Sequence, residues 1–170
     1  MNIILIGFMG SGKTVVGKEL AAKLGVDFLD TDELIEKTEG RTISEIFKAD
    51  GEEYFRQLET EVLKTLKDYD NFILATGGGI ILKEGNIAAL KTLGPVILLW
   101  ADPAVVYERV KNEAHRPLLQ VADPKAEIIK RLAARSEKYH QAADHKIDTS
   151  GQSPEQIGEE IIQWVRSKSI

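Results

Sequence analysis

Short strand-like segments alternate with amphipathic stretches along the chain. Residues 3–6, 26–29, 72–75, 96–100 and 146–148 have the length and side chains of short strands. In the stretches between them, apolar residues recur every three or four positions, which is typical of helices with one buried face. This alternation predicts an α/β fold, in which right-handed βαβ units build a parallel sheet with helices on both faces.

Residues that start and stop helices lie where this pattern changes. Gly25 follows the first amphipathic stretch and predicts its end. Thr42 and Glu45 have the spacing of a capping box, and Gly51 is expected to break the helix that they start. Asp102 precedes a proline at a predicted first helical position, which is typical of a helix N-terminus.

The first predicted strand leads into the glycine-rich segment Gly7-Phe8-Met9-Gly10-Ser11-Gly12-Lys13-Thr14. A strand, a glycine-rich turn and a helix are the context of a P-loop. The glycines permit a backbone path in which successive N–H groups face phosphate oxygens, and the helix N-terminus adds further donors. Lys13 is then placed to reach the β- and γ-phosphates, and the Thr14 hydroxyl is placed to bind Mg²⁺. Segment 7–14 therefore predicts a nucleotide site.

Composition narrows the class of protein. A length of 170 residues favours one domain over residues 1–170. The formal net charge of −5 argues against a general nucleic-acid surface, and the absence of cysteine excludes disulfides and thiolate metal sites. No apolar run approaches the roughly 18 residues of a membrane span, and no signal peptide is recognised. We therefore expect a cytoplasmic location.

Polar residues and glycines also follow the second and third predicted strands. Asp30 and Asp32 alternate along an extended backbone, so both carboxylates are expected to face the phosphate site. Their other interpretation is a helix cap. Gly77, Gly78 and Gly79 either let a ligand approach bare backbone N–H groups or form a sharp turn. Because ligands bind outside the carboxyl ends of parallel strands, the functional interpretation is favoured for both segments.

Three arginines are harder to assign from the residues alone. Arg56 stands three residues before Glu59 on a predicted helix, where a solvated ion pair explains both. Arg116 lies in the irregular segment 112–123, which we expect to form a lid that closes over phosphates. Arg135 lies on a predicted helix, and the sequence gives no partner for it.

These segments together resemble the shikimate kinase family. The resemblance rests on the P-loop, Asp30-Thr31-Asp32, Phe55-Arg56-Gln57-Leu58-Glu59, Thr76-Gly77-Gly78-Gly79 and Arg116-Pro117-Leu118-Leu119. The order and separations of these motifs match along nearly the whole chain. The P-loop alone indicates only a nucleotide binder, whereas the other motifs point to this family.

The resemblance implies both an architecture and an activity. The fold would be a three-layer P-loop NTPase fold with a five-stranded parallel sheet in the order 2-3-1-4-5, flanked by helices. A helical substrate-binding insert would span about residues 30–60, and the lid about residues 112–123. The activity would be ATP-dependent phosphorylation of the 3-hydroxyl of shikimate, in aromatic amino-acid biosynthesis. The implied partners are ATP, shikimate and one Mg²⁺ ion, without nucleic acid or membrane, and the implied state is a monomer.

Site residues are transferred to this sequence by motif match. Lys13, Asp32 and Arg116 would be catalytic, and Thr14 and (through water) Asp30 would hold Mg²⁺. The residues expected to contact ATP are Gly10, Ser11, Gly12, Lys13, Thr14, Val15, Arg109, Arg116 and Gln152. The residues expected to hold shikimate are Asp32, Arg56, Gly77, Gly78, Gly79 and Arg135. The residues expected to support the acceptor pocket are Phe47, Phe55, Glu59, Pro117 and Leu118.

Two positions depart from the family pattern. Val15 stands where many members have a second hydroxyl residue. The loop 150–152, which contains Gln152, lacks the basic residue that some members place on adenine.

Two alternatives stay open: another small-molecule kinase of this fold, and a nucleotide-dependent switch or binding protein such as a GTPase or a remodelling ATPase. A gluconate-type kinase would share Lys13 and Thr14 but would need a different acceptor pocket. A GTPase would need an Asn-Lys-x-Asp segment, and His145-Lys146-Ile147-Asp148 lacks the asparagine. A nucleic-acid-remodelling ATPase would need further domains and a basic track.

Overall fold

The computed structural model describes residues 1–113 and 120–168. Five parallel strands form a sheet in the order β2-β3-β1-β4-β5, as expected. The strands are β1 (Asn2–Ile6), β2 (Asp27–Asp30), β3 (Phe72–Ala75), β4 (Val96–Trp100) and β5 (His145–Asp148). In the register of the sheet, Ile4 of β1 pairs with Leu74 of β3 and with Val96 of β4. β1 is therefore a central strand, and the segment that follows it lies near the middle of the sheet edge.

The helices lie between the strands in sequence, which confirms the predicted alternation. They are α1 (Lys13–Leu24), α2 (Thr31–Glu39), α3 (Ile43–Thr65), α4 (Glu84–Leu93), α5 (Pro103–Val110), α6 (Pro124–Ala142) and α7 (Pro154–Lys168). A short 3₁₀ turn, Ile80–Leu82, precedes α4. Of the helices in the described ranges, none combines the length and the apolarity needed to cross a membrane.

Two hydrophobic layers hold the helices to the sheet. Ile3 and Leu5 of β1 face a layer shared with α1 and α7, whereas Ile4 and Ile6 face a larger layer shared with α2 to α6. All four side chains are completely buried. Successive strand residues point to opposite faces, so a continuous apolar run is what a strand covered on both faces requires.

Helix α3 has a bend that places its second half. Its start is the predicted capping box, because Thr42 Oγ1 accepts from the Glu45 N–H at 3.2 Å and the Glu45 carboxylate accepts from the Thr42 N–H at 2.9 Å. The backbone is non-helical at Gly51, with φ 82° and ψ 176°, and the helix resumes directly afterwards. The second segment, which includes Arg56, therefore follows its own axis.

Asp102 stands at the N-cap position of α5 but does not cap it with its side chain. Pro103 begins the helix as expected, yet the Asp102 carboxylate accepts no cap hydrogen bond. The backbone N–H of Asp102 instead donates to Ser150 Oγ at 3.3 Å. The start of α5 is thus tied to the loop after β5.

Substitution of two glycines is expected to change stability in opposite directions. At Gly51, Ala must adopt a positive φ with extended ψ, so Gly51→Ala should destabilise the fold by about 1–3 kcal/mol. Gly158 lies inside α7, and a Cβ added there would have no atom within 4 Å, so Gly158→Ala should stabilise the fold by about 0.5–1 kcal/mol. Urea unfolding of both variants measures this difference, and equal stabilities would contradict it.

Candidate active site

The segments that follow β1, β2 and β3 meet at one edge of the sheet. The P-loop leaves β1, Asp30 ends β2, and the three glycines follow β3. Because β1 and β2 are both hydrogen-bonded neighbours of β3, these three strand ends are adjacent. The edge is where ligands bind in open parallel sheets.

In the P-loop, Lys13 is held against the backbone of the loop itself. Its Nζ donates to the Gly7 carbonyl at 2.7 Å and to the Phe8 carbonyl at 2.9 Å, and the residue is 9% exposed. Gly12 is the N-cap of α1 with φ 97°, and no side chain caps the helix. The first-turn N–H groups of α1 therefore lack a side-chain acceptor, as an anion site requires.

The oxygens of Thr14 and Asp30 lie side by side next to the P-loop. Thr14 Oγ1 is 3.5 Å from Asp30 Oδ2, while Asp30 Oδ1 accepts from the Asp32 N–H at 2.8 Å. A hydroxyl and a carboxylate are the hard oxygen donors that Mg²⁺ takes, usually with several waters. Within the described ranges, no group of three or more His, Cys, Asp or Glu side chains could hold a metal by itself. The pair fits an ion that nucleotide and water also coordinate.

Asp32 lies in a different backbone conformation from the expected one. It lies in the first turn of α2, not in extended backbone, and Asp30 is the N-cap of that helix. The helix-cap interpretation of Asp30 is confirmed, since one of its oxygens caps α2, and its other oxygen lies 3.5 Å from Thr14 Oγ1. Asp32 Oδ1 lies 2.7 Å from where a Cβ on Gly77 would be, so its carboxylate packs on the turn after β3.

Arg56 and Glu59 form a buried ion pair, not a solvated one. Arg56 Nη1 donates to Glu59 Oε2 at 2.8 Å, with side-chain exposures of 14% and 0%. Arg56 Nη2 also donates to the exposed Glu52 at 3.1 Å. Among the described residues, Glu59 Oε1 has no hydrogen-bond partner. The sequence alone favoured a surface pair because it does not show which side of α3 faces the sheet.

Burial sets the protonation of Glu59. Loss of water raises the pKa of this carboxyl to about 7, and the Arg56 guanidinium offsets only part of the effect. The nearby Asp32 raises the pKa further, whereas Arg135 lowers it. Glu52 and Glu59 together keep the pKa of Arg56 above its usual range despite partial burial. Glu59 is therefore partly protonated near neutral pH.

The three glycines after β3 leave room for these charged side chains. A Cβ on Gly77 would lie 2.7 Å from Asp32 Oδ1 and 3.0 Å from Glu59 Oε1. A Cβ on Gly79 would lie 2.4 Å from Arg56 Nη1. A side chain at either position would displace the charged groups. The structure thus adds a second reason for glycine beside the expected approach of a ligand to backbone N–H groups.

Arg135 joins this cluster from α6. Its guanidinium lies over the Phe8 ring at 5.6 Å, and its Nη1 is 3.6 Å from where a Cβ on Gly78 would be. A Cβ at Gly78 would also be 3.4 Å from the Met9 N. Gly78 therefore sits between Arg135 and the P-loop, a contact that no sequence pattern indicated.

Two phenylalanines support the same region. The Phe47 and Phe55 rings on α3 are 4.9 Å apart between centroids, and the Arg56 guanidinium lies 5.3 Å from the centroid of Phe55. The rings give the first and second segments of α3 an apolar contact across the bend at Gly51.

Three further residues expected to contact ATP are Arg109, Gln152 and Val15, and Arg109 bonds directly to the P-loop. Arg109 Nη1 donates to the Gly10 carbonyl at 2.9 Å, and Nη2 donates to the Thr149 carbonyl at 3.3 Å. Gln152 Nε2 donates to the Asp148 carbonyl at 2.5 Å. Val15 is 58% exposed. Arg109 therefore connects the P-loop to the loop after β5.

Arg116, Pro117 and Leu118 lie outside the described residues. The flanking residues of the expected lid, 112–113 and 120–123, precede α6.

The sequence did not show that three buried polar residues contact the P-loop or the turn after β3. Thr31 is completely buried and accepts the Gly77 N–H at 2.9 Å. Thr149 donates to the Ser11 carbonyl at 3.2 Å, and Tyr139 donates to the Gly78 carbonyl. The position of Tyr139 one helical turn after Arg135 is the sequence signal that would have linked it to this site.

Comparisons with known proteins agree on one family. A family model described as shikimate kinase matches residues 9–166. A shikimate kinase of Thermodesulfovibrio yellowstonii is 48% identical over 162 residues, which are 95% of this chain and 93% of that protein. The structure of shikimate kinase from Acinetobacter baumannii in complex with shikimate is 38% identical with a TM-score of 0.95, and the match covers 99% of this chain and 94% of that one. A gluconokinase structure from Sinorhizobium meliloti, covering 94% of this chain and 87% of that one at 16% identity and a TM-score of 0.55, shares the fold alone.

The pKa of Glu59 predicts a specific loss of stability as pH rises. Since its pKa is raised from 4.5 to about 7, the folded chain binds more protons than the unfolded chain between these values. The stabilisation is therefore complete below about pH 4.5 and is lost as pH rises through about 7, by roughly 1–3 kcal/mol. Glu59→Gln should remove this slope from urea unfolding measured at pH 5 and pH 8.

Glu52→Gln is the matched control, because Glu52 also pairs with Arg56 but is exposed. It should keep the slope of the unaltered protein. A slope that survives in Glu59→Gln would show that another group is responsible for it.

Proposed function

The chain belongs to the shikimate kinase family, and we propose that it transfers the γ-phosphoryl group of ATP to the 3-hydroxyl of shikimate, giving 3-phosphoshikimate and ADP in aromatic amino-acid biosynthesis. The observation that carries the proposal is the cluster of Asp32, Arg56 and Gly77–Gly79 directly beside the P-loop. This cluster supports an acceptor site beside the proposed phosphate site.

Shikimate is a small carboxylated triol, and the cluster offers matching chemistry. Arg56 and Arg135 are planar donors suited to the carboxylate, which they would bind through charge-assisted hydrogen bonds. Asp32 and the N–H groups of Gly78 and Gly79 would hold hydroxyls. Glu59 keeps Arg56 in place through the 2.8 Å bond, and Phe47 and Phe55 would support the ring pocket.

The P-loop would hold the phosphates of ATP. The backbone N–H groups of residues 10–15 would surround the β-phosphate. Lys13 would exchange its bonds to the Gly7 and Phe8 carbonyls for phosphate oxygens. Arg116 would add a second positive charge as negative charge develops on the transferred group. Arg109, which bonds to Thr149, and Gln152, which lies in the loop after β5, would contact the base.

Thr14, with Asp30 acting through water, would hold one Mg²⁺ ion. When bound, such an ion neutralises charge on the β- and γ-phosphates. Asp32 would orient the acceptor hydroxyl and accept its proton, which is the role of the catalytic carboxylate in related phosphoryl transfers.

The remaining proposals concern the state of the protein. We propose one kinase domain over residues 1–170, with segment 112–123 as its lid. The protein would act as a monomer in the cytoplasm, where its reaction draws on ATP, and without nucleic acid or membrane as partners.

A coupled assay of ADP release tests this activity. With ATP and Mg²⁺, release should depend on shikimate and stay at background with gluconate and with other hydroxy acids. Lys13→Ala should fold normally and lose about 10²-fold or more in kcat, since it removes a contact to the developing charge. ADP release driven by gluconate, or near-normal turnover of folded Lys13→Ala, would overturn the assignment.

Two substitutions should separate acceptor binding from catalysis. Arg56→Lys keeps the charge but loses the planar fork, so shikimate binding should weaken by roughly 1.5–3 kcal/mol. Asp32→Asn should instead lower kcat by about 10²-fold or more, because an amide is a poor proton acceptor. Calorimetric titration with shikimate, together with steady-state rates, measures both effects.

Titration with an ATP analogue is the control for both variants, and its affinity should barely change. Unchanged shikimate affinity in Arg56→Lys would show that the acceptor site lies elsewhere, even if the kinase activity stands. Equal weakening of ATP analogue binding in both variants would lead to the same conclusion.

A further inference from the structure

The backbone turn after β3 is fixed by side chains from neighbouring helices. The Gly77 N–H donates to Thr31 Oγ1 at 2.9 Å, and Thr31 is completely buried on α2. The Ile80 carbonyl accepts from Asn86 Nδ2 of α4, also at 2.9 Å. The two ends of the turn are therefore anchored, and the peptide between Gly78 and Gly79 lies in the middle.

Tyr139 of α6 supplies the bond at this middle peptide. Its hydroxyl donates to the Gly78 carbonyl at 2.5 Å, and the residue is 1% exposed. Burial raises the pKa of the phenol to about 12, so the hydroxyl keeps its proton across neutral pH. The Gly78 carbonyl thus has a permanent buried donor.

Peptide geometry carries this constraint over to Gly79. The Gly78 carbonyl and the Gly79 N–H belong to one trans peptide unit and point in opposite directions. A carbonyl fixed toward Tyr139 therefore fixes the Gly79 N–H on the side away from it. Across residues 1–113 and 120–168, no backbone acceptor takes up that N–H or the N–H of Gly78.

Without Tyr139, the turn keeps the backbone bond from the Ile80 N–H to the Gly77 carbonyl at 3.1 Å, but its central peptide between Gly78 and Gly79 loses the side-chain bond that sets its direction. Neither Gly78 nor Gly79 carries a Cβ, so their own backbone angles permit this central peptide to flip. Tyr139 lies one helical turn after Arg135, on the same face of α6. Helix α6 therefore positions both the Arg135 guanidinium and the turn after β3 at the proposed acceptor site.

We propose that Tyr139 is a positioning residue for the acceptor: its hydroxyl fixes the Gly78–Gly79 peptide so that the Gly79 N–H faces the acceptor hydroxyls. The inference rests on the proposed function for the identity of the acceptor. It adds a residue that does not touch the substrate and acts through the backbone. Because the Tyr139 hydroxyl also lies beside the Arg135 guanidinium, the Gly79 amide signal described below separates this route from one through Arg135.

Tyr139→Phe tests the proposal, since it removes one hydroxyl and keeps the ring in the core. The KM for shikimate should rise on the order of 10-fold, the scale of one hydrogen bond. The kcat and the KM for ATP should stay within about twofold, because this contact is equal in ground and transition states. Tyr54→Phe is the control, since it loses a tyrosine bond of 3.0 Å to Glu39 away from the turn, and it should leave all three constants unchanged.

Nuclear magnetic resonance of glycine-labelled protein gives a readout that needs no turnover. The Gly79 amide signal of the unaltered protein should move when shikimate is added, and in unliganded Tyr139→Phe it should differ from that of the unaltered protein. An unmoved Gly79 signal in the unaltered protein with bound shikimate overturns the proposal, even if the variant fails to fold.

The same proposal fails if Tyr139→Phe keeps the shikimate KM. It also fails if both KM values rise together with a lower melting temperature, as a purely structural role requires. If the unaltered protein does not use shikimate at all, the proposed function fails. In that case the Gly79 signal of unliganded Tyr139→Phe still decides whether Tyr139 holds the turn.

Discussion

The buried carboxylate of Glu59 constrains much of the structure at the strand ends. A carboxyl group removed from water is costly unless a partner compensates it, so Glu59 depends on the bond of 2.8 Å from Arg56. The pair needs space against the turn after β3, and Gly77 and Gly79 provide that space because a Cβ would collide with it. Helix α3 and the glycine turn therefore behave as one packing unit.

The bend in α3 makes this arrangement compatible with the start of the helix. The capping box of Thr42 and Glu45 fixes the direction of the first segment. An unbroken helix would carry Arg56 along that same axis. The non-helical backbone at Gly51 separates the two directions, and the contact between Phe47 and Phe55 then stabilises the angle between them. A local conformational preference of one glycine thereby decides where a guanidinium lies.

A similarly small set of contacts holds the P-loop, where the phosphates of ATP are proposed to bind. Lys13 bonds to carbonyls of its own loop, so its charge is compensated inside the protein and a phosphate must replace those bonds. Arg109 bonds to the same loop and to the loop after β5. Gly78 lies between the P-loop and Arg135, so the proposed phosphate and acceptor sites are adjacent. The proposed direct phosphoryl transfer needs these two sites to be this close.

The sequence determined the features that depend on neighbours along the chain. Periodicity predicted the strands and helices, the capping box predicted the start of α3, and the P-loop spacing predicted the phosphate site. Resemblance to a family added the strand order and assigned Arg56 and Arg135 to the acceptor. Only the tertiary structure decided that Arg56 and Glu59 are buried, that Asp32 reaches the turn from the first turn of a helix, and that Tyr139 holds Gly78. These outcomes depend on which helix faces meet between segments that are far apart along the chain, and on how much water is excluded there. The spacing of residues along the chain shows neither which helix faces meet nor how much water is excluded. Both depend on how whole helices and strands pack on the sheet.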